Sequence, residues 1–143
     1  MKNEFDQLIK NQPNCKKIKG KYLPIQTHTG IESIEQIFTF DSQRKNYPFI
    51  FMVTKTHYYL GITLARQSSD FLVNLAKKMI SDYKITKINL MQYMLPKDIS
   101  SLKLILFREI GQAIELNDII KDFSEIQTRF IAKQQKIIDS IKD

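Results

Sequence analysis

The sequence predicts an α+β fold: an antiparallel sheet of five to six strands, packed by a middle helix and a long C-terminal helix, with a short helix at the N-terminus. Two observations predict this class. Apolar residues recur with the helical period in three segments, and short β-branched and aromatic runs bounded by turn residues occupy most of the remainder. The chain has 143 residues and one cysteine, so we expect a single domain spanning residues 1–143 without an internal disulfide.

The first predicted element is a short helix over residues 3–10, which ends in the turn-forming segment 11–14. One side of this helix is apolar and carries Phe5, Leu8 and Ile9. Residues 17–22 then alternate with a period of two, which predicts an edge strand. One face of that strand carries the lysines Lys17, Lys19 and Lys21.

Three further strands are predicted before the middle helix. Residues 24–30 are expected to be a connection, and residues 34–40 alternate as a strand that a polar loop to Asn46 joins to the next one. The runs 49–53 and 58–64 are apolar on both faces, as is typical of central strands covered by helices. These two runs predict the centre of the sheet.

The middle helix is predicted to begin at Ser68 or Ser69, since either hydroxyl can cap the free amides of a first turn. Its unbroken apolar face consists of Phe71, Leu72, Leu75, Ala76, Met79, Ile80 and Tyr83. Residues 88–95 and 102–110 follow as two strands joined by residues 96–101. Because these apolar runs are short, periodicity alone also allows helices there.

The last predicted element is one amphipathic helix over residues 117–143. Its apolar residues fall within an arc of roughly 140° at 100° per residue, and they are Ile119, Ile120, Phe123, Ile126, Phe130, Ile131, Ile137, Ile138 and Ile141. Gln127 and Gln134 interrupt the middle of this arc, where a helix that covers only its own core normally carries Leu or Ile. The two amides suggest a polar partner, either a second chain or the domain's own backbone.

The net charge of +7 raises the question of nucleic-acid binding. Lysine outnumbers arginine, the residue favoured for bidentate phosphate and guanine contacts, which lowers the expectation of specific readout. We favour the interpretation that the lysines protect a sheet edge against aggregation. The alternative is an anion or nucleic-acid site formed by Lys16, Lys17, Lys19, Lys21, Lys45 and Lys55.

Catalytic and metal-binding patterns are weak. His28, His57 and Cys15 fall in separate segments, and the paired His-x-Ser/Thr motif of cyclic phosphoesterases is not matched, because Gly30 and Tyr59 stand where its hydroxyls belong. The sequence holds neither a Walker loop nor a glycine-rich dinucleotide turn. We therefore predict no catalytic residue, no cofactor and no metal.

The order of the predicted elements is similar to that of the small dimeric chaperones of type III secretion: a first helix, a meander of strands, a helix, a two-stranded hairpin and a closing helix. The similarity extends over the whole length, without a shared motif. It implies an α+β protein that binds other proteins and forms dimers.

These observations favour a non-enzymatic protein-interaction module, an adaptor or small chaperone-like subunit, that forms a homodimer or joins a complex through its last helix or an edge strand. The candidate partner-binding residues are Gln127, Phe130, Ile131, Gln134, Ile138 and Ile141. The alternatives are a nucleic-acid-binding accessory protein and a small hydrolase or transferase that uses His28 or His57. We expect no membrane segment and a cytoplasmic location.

Overall fold

Three helices pack on one face of a six-stranded antiparallel sheet, and a separate two-stranded hairpin contributes to the core on the other face. The computed structural model describes residues 2–22, 24–27, 30–44, 47–83, 88–93 and 103–142. The predicted α+β class, with an antiparallel sheet and a short, a middle and a long helix in that order, is confirmed.

The helices are α1 (Lys2–Lys10), α2 (Asp70–Tyr83) and α3 (Leu116–Lys142), with one 3₁₀ turn over Ala113–Glu115 before α3. The strands are β1 (Lys16–Ile18), β2 (Ile25–Thr27), β3 (Gly30–Glu32), β4 (Ile34–Phe40), β5 (Phe49–Thr54), β6 (Tyr58–Ala65), β7 (Ile88–Tyr93) and β8 (Lys103–Ile110). The order in the main sheet is β1-β4-β5-β6-β8-β7, every neighbouring pair is antiparallel, and β2 pairs with β3.

The central strands β5 and β6 divide their side chains between two apolar clusters. Phe51 and Leu60 face the cluster that contains the buried residues of all three helices. Met52 and Tyr59 face the opposite cluster, to which Ile25 of β2 contributes. Burial of both faces is confirmed, but the expectation that helices cover both faces is wrong, because α1, α2 and α3 all supply the first cluster.

The predicted connection over residues 24–30 is wrong, because this segment contains β2 and the start of β3. The two strands pair from Ile25 with Glu32 to Thr27 with Gly30. Gly30 has a φ of +116°, a conformation that side chains of L-residues rarely adopt, so glycine is needed where β3 begins. With only three residues each, these strands are too short for their alternation to be recognised in the sequence.

The middle helix α2 begins as predicted, since the Leu72 amide donates to the Ser69 hydroxyl. Among the side chains of α2 that the structure describes, the buried ones are Leu72, Ala76 and Met79, a narrower line than the predicted face. Leu75, expected at the centre of that face, is half-buried, and Phe71 is 51% exposed. The helix therefore lies on the sheet with one edge of its apolar stripe turned outward.

The two segments whose periodicity allowed either helix or strand are the strands β7 and β8. All of β7 pairs with β8, from Ile88 with Arg108 to Tyr93 with Lys103. β8 also pairs with β6, from Tyr58 with Ile110 to Ala65 with Leu104. The expected connection at 96–101 lies outside the described residues.

Candidate functional site

The long helix α3 crosses the sheet from one end to the other. It begins just after β8, whose last residue, Ile110, pairs with the first residue of β6. At Gln127 it has reached Thr63, close to the end of β6. Its buried side chains up to that point recur at helical spacing and are Leu116, Ile119, Phe123 and Ile126.

Gln127 is an internal structural residue. Its amide nitrogen donates to the Thr63 carbonyl at 2.8 Å and to the Tyr47 carbonyl at 2.9 Å, and the residue is 1% exposed. Both acceptors belong to backbone at the rim of the sheet, where a leucine would leave two carbonyls without these donors. Gln127 is therefore removed from the predicted partner-binding surface, since its amide bonds the domain's own backbone.

Phe130 is also removed from that surface, because it is 0% exposed and belongs to the cluster beneath the helices. The remaining candidates are Ile131, Gln134, Ile138 and Ile141. Ile131 and Gln134 are half-buried and Ile141 is 78% exposed. Ile138 lies in the helix, and its side chain is outside the described part of the chain.

The apolar stripe of α3 continues past the point where the domain covers it. At 100° per residue, Gln134, Ile137 and Ile141 project in nearly the same direction as the buried Phe123 and Phe130. Exposure nevertheless rises along this line, from buried at Phe130 through half-buried at Gln134 and Ile137 to 78% at Ile141. None of the side chains described between Ile131 and Ile141 is buried. We call residues 131–142 the α3 extension.

An exposed aromatic side chain, Phe71, lies at the same end of the sheet as the α3 extension. β6 ends at Ala65, and α2 begins at Asp70 after only four intervening residues, 66–69. Phe71, in the first turn of α2, is thus placed at the end of the sheet that α3 reaches at Gln127 and then passes. This end of the molecule combines a half-exposed aromatic side chain with an apolar helix face.

A groove of about 940 Å³ runs along another side of α3, over its first four turns. The loop after α1 and the loop after β4 form its opposite wall, at Pro13 and Ser42. The helix side of the groove is mixed in character, with Ile120 between the polar residues Asn117, Lys121 and Ser124. This groove lies away from the stripe that forms the α3 extension.

The described lysines of the predicted site lie on β1, in the segment after it and in one turn. Lys16 and Lys17 lie exposed on β1, which is an edge strand as predicted, although it ends at Ile18 and not at residue 22. Lys19 and Lys21 follow as exposed residues outside the strand, and Lys55 is exposed in the turn between β5 and β6. Lys45 lies outside the described residues.

The sequence did not predict a polar cluster that joins four strands around His57. The ring nitrogens of His57 lie 3.2 Å from carboxylate oxygens of Glu32 and Glu109, one on each side. Glu32 also accepts hydrogen bonds from the hydroxyls of Thr54, Thr56 and Tyr59, at 3.0, 2.9 and 2.7 Å. The spacing Thr54-x-Thr56-His57 was visible in the sequence, but its carboxylate partners come from β3 and β8.

Through Glu32 and His57, this cluster connects β3 to the turn between β5 and β6 and to the end of β8. Both nitrogens of His57 contact carboxylates of the chain itself, so the imidazole is held in a structural network, and the hypothesis of a hydrolase or transferase gains no support from it. His28, the other histidine considered, lies outside the described residues.

Metal and thiol chemistry have no support in the described part of the chain. No group of three or more His, Cys, Asp or Glu side chains within it is placed to hold a metal ion. Burial raises the pKa of the Cys15 thiol above its ordinary value, while the nearby Lys10 ammonium acts in the opposite direction. A raised pKa leaves less reactive thiolate at neutral pH.

Comparison with known proteins identifies no relative, since no family model, no curated protein and no solved structure matches this chain. The resemblance to type III secretion chaperones therefore rests on the order of elements alone. Among the described helices, none combines the length and apolar character needed to cross a membrane.

Proposed function

We propose that this chain is a non-enzymatic protein-interaction module, an adaptor or small chaperone-like subunit, that binds a protein partner through the α3 extension. The observation that supports it is the apolar stripe of α3, which is buried as far as Phe130 and then runs out of the domain to Ile141. The function rests on this helix face and on no catalytic group.

Helix propensity does not explain why the α3 extension carries several isoleucines. A β-branched side chain is a poorer helix former than Ala, Leu or Lys, because its χ1 angle is restricted against the preceding turn. Ile131, Ile137 and Ile141 therefore weaken an exposed helix unless another surface covers them. Each Å² of apolar surface removed from water contributes about 25 cal/mol of favourable free energy. A partner on this face therefore stabilises both the complex and the end of the helix.

An edge strand is the weaker alternative for the contact. β1 is only three residues long and presents the exposed lysines Lys16 and Lys17, two features that oppose the pairing of another strand. The apolar stripe of the α3 extension is longer than β1 and is formed by isoleucines. A reducing, cytoplasmic location is part of the same proposal, since the chain has one cysteine and can form no disulfide within itself.

Two exposed isoleucines at opposite ends of α3 provide a matched test. Ile141 is 78% exposed in the α3 extension and Ile114 is 82% exposed in the 3₁₀ turn before α3. We expect a photo-crosslinking residue at position 141 to capture one defined partner in an extract of the source cells, and the same residue at position 114 to capture none.

The matching substitutions complete this test. Ile141→Ser should abolish the complex and Ile114→Ser should leave it intact, while both variants keep the melting temperature of the parent, since neither side chain is buried. Equal crosslinking at both positions, or a complex that survives Ile141→Ser, would contradict the proposal.

Nucleic-acid binding is the second candidate, favoured by the exposure of Lys16, Lys17, Lys19, Lys21 and Lys55. Lysine contacts to phosphates release counterions, so binding of this kind falls steeply with salt. Binding of RNA or DNA that weakens steeply with salt and is lost when Lys17, Lys19 and Lys21 are replaced by Gln would support this candidate. Partner binding that is insensitive to salt and to these substitutions supports the protein-interaction proposal.

A further inference from the structure

The charges on the α3 extension differ from those on the rest of the helix. Residues 116–130 carry two basic and three acidic side chains, whereas residues 131–142 carry three lysines and one aspartate, a net charge of +2. The helix is nearly neutral as a whole, and its positive charge is concentrated where it leaves the domain.

Lys133 lies beside the apolar stripe, whereas Lys136 and Asp139 lie on the far side of the helix. Lys133 is exposed and lies one turn before Ile137, at one border of the stripe. Asp139 lies on the far side of the helix, where its carboxylate accepts a hydrogen bond from the Gln135 amide at 2.9 Å. The border of the stripe at Lys133 is therefore positively charged.

The helix dipole explains only part of this arrangement. Basic residues stabilise the last turn of a helix, but the effect falls off within that turn. It accounts for Lys142, whereas Lys133 and Lys136 lie more than one turn earlier. Arg66, just after β6, adds an exposed positive charge at the same end of the sheet. Asp70, also exposed there, is in the first turn of α2, where the helix's own amides attract a carboxylate.

We infer that the occupant of the α3 extension is an amphipathic helix of a different protein, with an apolar face and acidic residues beside it. This inference rests on the proposed function and specifies its partner. A strand is a poor occupant because the interior of a helix offers no unpaired backbone groups to it, whereas helix surfaces pack by interdigitating side chains. The extension, 12 residues or about 18 Å long, matches a partner helix of three to four turns.

A second copy of this chain does not complement the surface. It would bring the same Lys133 to the border of the contact, and its Asp139 faces away from the stripe. Two chains that each carry a net charge of +7 also repel one another during encounter. The carboxylate that balances Lys133 must therefore come from a different sequence.

Three synthetic helical peptides test this inference against the full chain by fluorescence anisotropy. Two share the same leucine seam and differ only in glutamate or lysine at the bordering positions, and the third combines the glutamates with a seam of serine. We expect the acidic leucine peptide to bind at least tenfold more tightly than either of the others. Ile141→Ser should weaken its binding by a similar factor, because both changes remove the apolar contact.

Charge reversal on the protein provides the matched control. Lys133→Glu should weaken binding of the acidic peptide about two- to fivefold, the range expected for one exposed ion pair. Lys121→Glu, which alters an exposed lysine in the first half of the same helix, should leave binding unchanged. Equal binding of the acidic and basic peptides, or equal effects of the two substitutions, would overturn the inference.

Other results separate this inference from the proposed function. If sedimentation reveals a dimer that Ile141→Ser dissociates, the occupant is a second copy and the inference fails while the interaction surface stands. If no peptide binds but Ile141→Ser abolishes the crosslinked complex, the partner is not an acidic helix. If Ile141→Ser leaves that complex intact, the proposed function itself fails.

Discussion

Replacing Phe123 by alanine should lower the free energy of unfolding by about 3–5 kcal/mol. Phe123 is 1% exposed and packs in the cluster shared by α1, α2, α3 and the sheet, so the substitution removes buried apolar area and leaves a cavity. Urea unfolding monitored by circular dichroism measures the loss directly.

Ile141→Ala is the control for Phe123→Ala, because it shortens an apolar residue on the same stripe outside the domain. We expect its effect on the free energy of unfolding to stay within about 0.5 kcal/mol, the range of surface substitutions. A loss below about 1 kcal/mol for Phe123→Ala would mean that α3 does not pack on the sheet at this position.

Gln127→Leu should lower the free energy of unfolding by about 2–4 kcal/mol, even though leucine suits an apolar stripe. The substitution removes the donor to the Thr63 and Tyr47 carbonyls. A buried carbonyl left without a partner costs about 1–3 kcal/mol, which applies to Thr63. The Tyr47 carbonyl keeps the hydrogen bond from the Ser42 hydroxyl, so its loss is about 0.5–1.5 kcal/mol. Thermal and urea unfolding of the purified variant measure this effect.

Gln134→Leu is the matched control for Gln127→Leu. It lies seven residues later on the same stripe, is half-buried, and belongs to the α3 extension. We expect unchanged stability of the isolated chain and tighter binding of the partner, because an amide in an apolar contact is costly unless it is bonded. Equal destabilisation by both substitutions would contradict the different roles assigned to these two glutamines.

The two glutamines illustrate what could be predicted from the sequence. Their position in the stripe was sufficient to identify them as unusual, because helical periodicity is a local property. Their partners were not predictable. The carbonyls that bond Gln127 lie 80 and 64 residues away in the sequence, and only the pairing of β6 with its neighbours brings them under the helix.

The same distinction applies to the sheet. The long, apolar strands β5 and β6 were predicted from composition, whereas β2 and β3 were missed because three-residue strands beside Pro24 and Gly30 resemble a turn. The arrangement of helices on one face could not be derived either, since apolar residues on both sides of a strand do not reveal what covers each side.

The candidate site was predicted in part. The end of α3 was identified by its stripe, but the sequence could not tell where the domain stops covering that stripe. Phe130 and Ile131 are adjacent and both apolar, yet Phe130 is buried, Ile131 is half-buried, and no described side chain after them is buried. The cluster around His57 was missed because Glu32 and Glu109 come from distant strands.

Site-resolved amide hydrogen exchange of the isolated chain tests the central claim most directly, namely that the domain covers α3 only as far as Phe130. Opening free energies in a native protein range from about zero at fraying ends to the global value in the core. We expect near-global protection of the amides around Phe123 and a steep decline after Phe130, approaching zero at Ile141. Protection at Ile141 equal to that at Phe123, at concentrations too low for self-association, would contradict the account.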